Sequence, residues 1–233
     1  MDLATLRRTI LGRYGRSPYA GEDELFPREQ MHYLINAAHR TLAERALCYR
    51  QTQTYNLPAA SGGVSTVSLD CNVIEVVPDR CRFLNGATWV TLSAVDESDI
   101  IRTQGAIDSA GTGIPIAYWL QRGEALDAVV QALVYPGIAS QVTNGFKCDV
   151  YVYPSLMSAE TDTPALQPAE HPAIVALCCA ELARTDASRG RPDAPVQMWE
   201  SEARRALDTL SGRVRRQTRP ARRTIRMPAG RRW

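Results

Sequence analysis

The sequence predicts an α+β protein: a helical bundle drawn from both chain ends, a small antiparallel β unit inserted between its halves, and an extended basic C-terminal arm. Three observations predict it. Apolar residues recur every three or four positions before residue 50 and again after residue 171; between 51 and 153 the period shortens to two, in runs rich in Val, Thr, Tyr and Trp; and residues 213–233 hold nine arginines and no acid. The predicted boundaries are 1–50 for the N-terminal helices, 51–153 for the β unit, 154–212 for the C-terminal helices and 213–233 for the arm.

Leu3, Leu6, Ile10 and Tyr14 fall at helical spacing, and Gly12 and Gly15 make continuation costly, so a short first helix is expected. Residues 16–26, with Pro18 and Gly21, read as a loop. Pro27 is tolerated in a first helical turn, after which Met31, Leu34, Ile35, Ala38, Leu42, Ala46 and Tyr49 form one apolar stripe. Strands are predicted at 52–57, 64–69, 73–77, 82–84, 87–92, 116–120, 129–135 and 146–153. Asn85-Gly86 is expected to turn a hairpin, both residues tolerating positive φ. Phe146, Cys148, Val150 and Val152 alternate with Lys147, Asp149, Tyr151 and Tyr153, the pattern of a strand with one buried face. Asp96-Glu97-Ser98-Asp99, leading into Ile100-Ile101, reads as a single helical turn.

Prolines 154, 164, 168 and 172 punctuate the exit from the β unit, and Pro172 opens a helix with Ile174, Leu177, Cys178 and Leu182 on one side. Arg189-Gly190-Arg191-Pro192 breaks it. Asp193 then suits an N-cap, and Val196, Trp199, Ala203, Ala206, Leu207, Leu210 and Val214 define a fourth amphipathic helix. Beyond it, Pro220, Pro228 and Gly230 stand among arginines with too few apolar residues for a core, so the arm is expected to be extended in isolation.

At 233 residues and 45% hydrophobic content, the chain can build a core without covalent staples. Cysteines 48, 71, 81, 148, 178 and 179 include no C-x-x-C pair and read as small buried hydrophobes in a reducing cytoplasm. No apolar run approaches the ~20 residues that span a bilayer, and the N-terminus lacks a charged segment followed by an apolar one, so neither membrane insertion nor signal-directed export is expected. The net charge of +2 conceals an asymmetry: of 27 basic residues nine lie in the arm, leaving 18 against 25 acids and a body of about −7. Only Lys147 is a lysine, so the clustering of the arginines carries more weight than their identity.

Catalytic and metal-binding patterns are weak. His32 and His39 are seven apart, roughly two helical turns, too far to share an ion without other ligands; His171 is remote in sequence, and Cys178 and Cys179 point in different directions on a helix. Gly62-Gly63 and Gly111-Thr112-Gly113 precede no convincing helix and read as turn glycines, while Asp96, Glu97 and Asp99 read as a solvated helix start. No catalytic, cofactor or metal site is assigned, and the chain is read as a non-enzyme.

The arm is the exceptional feature. Arg213, Arg215, Arg216, Arg219, Arg222, Arg223, Arg226, Arg231 and Arg232 supply charge, and Ile225, Met227 and Trp233 supply apolar anchors, which together favour a segment that orders on docking to a protein. A solubilising tail and a nucleic-acid arm remain the alternatives. Fully extended, 21 residues reach at most ~70 Å.

The order and spacing of several segments resemble the phage head-to-tail adaptor (connector) family, the ring proteins beneath the portal of short-tailed and related phages. These segments are the early helix from Leu3 to Leu11, Ile35-Asn36-Ala37-Ala38, Val77-Pro78-Asp79-Arg80, Asn85-Gly86 with the turn at 96–99, Gly113-Ile114-Pro115-Ile116-Ala117-Tyr118-Trp119, Val134-Tyr135-Pro136, His171-Pro172 and Cys179-Ala180-Glu181-Leu182-Ala183. The resemblance implies a virion component at the capsid–tail junction, made in the host cytoplasm. It implies a ring, typically of twelve copies, whose partners are its own copies, the portal protein and tail or nozzle proteins. Double-stranded DNA would pass through the lumen without specific binding, which an acidic body favours.

Overall fold

The computed structural model describes residues 1–15, 26–104, 112–122, 129–190 and 195–218, which form two compact units. One takes Met1–Ala38 together with the chain from Ala159 onward; the other takes His39–Ser158. The helix α2 (Arg28–Ala46) contributes its first turns to one and its last turns to the other.

In the helical unit, α1 (Leu3–Arg13) is started by Asp2, whose carboxylate accepts from the Thr5 amide at 2.7 Å and satisfies one of the orphan donors of a helix start. It buries Leu3, Leu6, Ile10 and Leu11. A short 3-10 turn (Pro168–Glu170) leads into α4 (His171–Ser188), with Pro172 in its first turn as the sequence predicts. The expected one-sided stripe on α4 is too narrow. Ala173, Val175, Ala176, Cys179, Ala180 and Ala183 are buried alongside Ile174, Cys178 and Leu182. α4 packs on both α1 and α5 (Val196–Thr218), and a helix covered on more than one side must be apolar nearly all round. Small residues admit the close approach: Cys179 Sγ meets the Ile10 carbonyl of α1 at 4.0 Å, and Cys178 Sγ meets the Leu34 carbonyl of α2 at 3.7 Å. α5 does show the predicted stripe, burying Trp199, Ala203, Leu207 and Leu210.

The β unit contains two sheets. The first has the order β1 (Arg50–Leu57), β9 (Val142–Val152), β4 (Arg82–Asn85), β5 (Thr88–Thr91), with β3 (Val73–Val76) also pairing β9. The second has the order β2 (Ser65–Ser68), β8 (Val130–Tyr135), β7 (Ala117–Arg122), β6 (Ser93–Ala94). β9 is the hub, and the face foreseen for its core is found: Phe146, Cys148, Val150 and Val152 are all buried, but Tyr151, expected on the open face, is buried as well, so the alternation stops after Val150. From the second sheet Val67, Tyr118, Ala132 and Val134 are buried, and burial together with the nearby Cys81 raises the Tyr118 phenol well above its ordinary value. A smaller apolar cluster of Ile100, Trp119 and Tyr135 gathers against Val64, Val95 and Leu133, with α3 (Glu97–Gln104) supplying Ile100.

Further expectations need correction, among them the burial of Cys71, which is exposed, and of Cys48, which is only partly covered. Tyr49 is not on α2: the helix stops at Ala46, Leu47 takes a left-handed φ of 49°, and the chain turns so that the Tyr49 hydroxyl meets His39 Nε2. The turn at 96–99 grows into the eight-residue α3, because Ile100 finds an apolar cluster to join. The β unit is not wholly antiparallel, since β6 runs parallel to β7. Asn85 belongs to β4, opposite Thr88, so Gly86 and Ala87 form the loop; Gly86, at φ 63°, takes the position that a II′ turn reserves for glycine. Finally, α5 continues to Thr218, so the first six residues read as extended arm are helical. Residues 219–233, Asp193 and Gly111 lie outside the described residues.

Candidate interaction surfaces

Of the predicted arm residues, Arg213, Arg215 and Arg216 stand on the last turns of α5; Arg219, Arg222, Arg223, Ile225, Arg226, Met227, Arg231, Arg232 and Trp233 lie outside the described residues. Arg213 is exposed at the rim of an open groove of about 250 Å³ between the start of α4 and α5. Pro172, Ala173, Ala206 and Leu210 give this groove an apolar floor, and Glu170 and Glu202 join Arg213 at its edge. Such a surface can take an apolar side chain and meet a charge of either sign beside it.

Elsewhere on the helical unit, four arginines are seen answered by carboxylates. Arg184 reaches Glu200 through Nε at 2.8 Å and Glu181 through Nη1 at 3.1 Å, and Arg13 pairs with Glu202 while its guanidinium lies 5.7 Å from the centroid of the Trp199 ring. Arg7 donates to Glu160 Oε1 at 2.8 Å, and Arg28 meets the same oxygen. The segment from Arg213 onward contains no acid to do this.

The histidines are held by the fold. His171 Nε2 donates to the Leu166 carbonyl at 3.1 Å, leaving Nδ1 to accept from the Met1 ammonium at 2.9 Å. Burial pushes the His171 imidazole below its ordinary value, against the hydrogen bond to Leu166. His32 lies 3.4 Å from Glu160 Oε1, and burial likewise lowers its proton affinity despite the carboxylate. His39 is buried against Tyr49, their rings edge to face. Among the described residues no group of His, Cys, Asp and Glu could hold a metal ion.

Asp96, Glu97 and Asp99 are exposed in the first turn of α3 and beside it. Asp96 and Glu97 border a second open cleft of about 360 Å³, walled by Val76, Pro78, Tyr118 and Trp119. Gly62 and Gly63 take positive φ within the turn that joins Ser61 to Val64.

Sequence inspection missed Glu160 and Asp149. Asp149 accepts from Thr52 Oγ1 at 2.7 Å and from Arg50 Nη2; burial opposes its ionisation, but these hydrogen bonds and the charge of Arg50 hold its carboxyl below the usual range. Its place on the more open face of β9 was legible, but its partners depend on the β1–β9 register, which no local pattern encodes.

Comparison with family models finds a match to the family described as SU10 adaptor protein, over residues 1–227. Comparison with curated proteins finds no match.

Proposed function

The chain belongs to the SU10 adaptor protein family, a family of phage head-to-tail adaptors, and from that premise we propose that it forms a ring beneath the portal and docks on it through its arginine-rich C-terminal segment. The observation that carries this reading is the family match, which runs from the first residue to Met227 and so takes in most of the basic segment. In this role the protein is a structural component of the virion and catalyses nothing. Its partners are further copies of itself, twelve being the expected number, the portal protein above and tail or nozzle proteins below. Double-stranded DNA crosses the lumen without being held.

Charge supports the division of labour. An acidic body repels phosphates and so avoids the salt-sensitive grip that a cationic lumen would exert on passing DNA. The arm gathers nine arginines without a single acid, suited to carboxylates on a partner, with Ile225, Met227 and Trp233 to fill apolar pockets. α5 gives it a rigid base to Thr218, after which 15 residues can reach at most ~50 Å. The domain scheme of this reading keeps the helices of both chain ends as the ring-forming bundle and residues 51–153 as an inserted module.

The test is a chain ending at Thr218, which preserves α5. It is expected to stay folded by circular dichroism and to lose binding to purified portal; undiminished binding overturns the arm model. The uninterrupted cationic run also favours a competing reading, a nucleic-acid-binding tail. That reading predicts that the full chain binds duplex DNA with a log–log salt slope of several units, and that the truncated chain does not.

A further inference from the structure

Cys81, the residue before β4, lies beside Cys148 of the antiparallel strand β9. β4 and β9 pair with Arg82 opposite Lys147 and Phe83 opposite Phe146. Continuing this register one residue back from Arg82, just outside β4, and one forward along β9 sets Cys81 against Cys148. Both residues have 0% exposure, and the Cys81 thiol is the leading influence on that of Cys148. Directly opposed residues of an antiparallel pair have Cα atoms about 4.5–5.5 Å apart, inside the range of about 4.4–6.8 Å that a disulfide accepts. Cys178 and Cys179, by contrast, are neighbours on a helix and lean toward different partners, α2 and α1.

We propose that Cys81 and Cys148 are a dormant cross-strand disulfide site, closed by a small-molecule disulfide such as oxidised glutathione when the protein leaves a reducing compartment. The reaction is two successive exchanges. One cysteine loses its proton, its thiolate attacks a sulfur of the oxidant, and a glutathione thiolate leaves and takes up a proton. The second cysteine, deprotonated in turn, attacks the mixed disulfide at the first cysteine's sulfur and expels the other glutathione. Two protein thiols are oxidised to one disulfide while one small-molecule disulfide is reduced to two thiols.

The fold controls when this happens. In the closed core the neighbouring Cys81 thiol and burial both push the Cys148 thiol well above its ordinary value, so the thiolate is scarce and an oxidant is excluded. β4, however, is only four residues long and meets β9 at two register positions, and its hairpin partner β5 ends the sheet. Opening of the β4–β5 hairpin is therefore the step that admits the oxidant, and the bond then fastens that hairpin to the central strand. Exposed Cys71 needs no opening and serves as an internal control.

The experiment incubates the full chain with oxidised glutathione at neutral pH, with and without urea below the unfolding transition, followed by nonreducing peptide mapping and thermal melting. The expected result is a peptide cross-linked through Cys81 and Cys148, formed faster in urea, with the melting midpoint raised by roughly 5–10 °C and restored by dithiothreitol. Cys81→Ala and Cys148→Ala should each abolish the cross-link. Recovery of both residues as free thiols or as separate glutathione adducts, while Cys71 is modified, overturns the proposal, and so does a cross-link joining either to Cys71. Mapping of the unaltered chain decides the matter even if the alanine variants fold poorly.

Discussion

Arg7 and Glu160, 153 positions apart in the chain, are joined by a 2.8 Å hydrogen bond from Nη1 to Oε1. The same carboxylate meets Arg28 and stands 3.4 Å from His32, while the backbone around it accepts from the start of α1: Leu3 donates to the Asp162 carbonyl at 2.8 Å and Ala4 to the Glu160 carbonyl at 3.2 Å. One acidic side chain thus ties the first two helices to the segment through which the chain returns to the helical unit.

Glu160→Gln should lower stability by about 1 kcal/mol at neutral pH, a modest figure because every member of the cluster is partly solvated. Burial works against ionisation of Glu160, but the charges of Arg7 and Arg28 and the hydrogen bond from Arg7 outweigh it and hold the carboxyl below its ordinary value of 4.5. The native state then binds fewer protons than the unfolded chain. Its advantage is complete above pH 4.5 and is lost as pH falls through the native value. Urea melts of both proteins across this range should show the gap between them closing in acid; a gap independent of pH would exclude the ionic cluster as its source.

His32 and His171 add a second, earlier step. Both imidazoles are held below their ordinary value of 6.5 chiefly by burial, so the unfolded chain takes up protons first as pH drops and stability declines below pH 6.5 until the native values are passed. Proton NMR titration should give both rings midpoints under 6.5. A midpoint at or above 6.5 for either would mean that burial does not govern its titration.

Phe146→Ala should cost about 3–5 kcal/mol. Phe146 is fully buried at the centre of the first sheet, opposite Tyr55 on β1 and Phe83 on β4, so its loss leaves a cavity that three paired strands cannot easily collapse. Thermal melting of the variant would measure the cost; a loss under about 1 kcal/mol would show that the site repacks.

Residues whose neighbours lie close in sequence were the legible ones. The stripe on α5 and the buried face of Phe146, Cys148, Val150 and Val152 rest on local periodicity and appear as read, whereas burial of Tyr151 on the opposite face depends on what packs there. Leu47 carries no mark of its left-handed backbone, because a leucine adopts that conformation only when tertiary packing compensates it, and so Tyr49 was placed one turn too far along the helix. The parallel pairing of Ser93 with Ala117 and the convergence on Glu160 join distant segments and leave no local trace. At the other end of the chain, composition misled where propensity would have served. Val214 already belongs to the apolar stripe of Leu207 and Leu210, and arginine is a good helix former, so α5 runs on to Thr218 through residues that the arm boundary at 213 leaves out.

Gly137→Ala should destabilise the β unit by roughly 1–3 kcal/mol. A Cβ there would lie 2.5 Å from Ala60 Cβ, 2.8 Å from Val64 C and 2.9 Å from Ser65 N, and backbone atoms of a strand start cannot move aside as a flexible side chain can. The Gly137 amide also donates to the Gly63 carbonyl at 2.8 Å, and its carbonyl accepts from Gly113 at 2.9 Å, so any shift strains two further turns. A melting midpoint equal to that of the unaltered chain would contradict this close approach.

Gly212→Ala should have the opposite sign. Gly212 sits inside α5, one residue before Arg213, and a Cβ added there meets nothing within 4 Å. Alanine in a helix interior is favoured over glycine by about 0.5–1 kcal/mol because it surrenders less backbone entropy on folding. The gain falls where α5 passes from its buried stripe to the arginine-rich turns, so helicity of 213–218 should rise together with stability. Hydrogen exchange over these turns would measure it: slower exchange is expected in the variant, and unchanged exchange with unchanged stability would mean that Gly212 does not limit the helix. A stiffer base should also shorten the reach of the arm, so if docking needs these turns to unwind, the same substitution will weaken portal binding while it strengthens the fold.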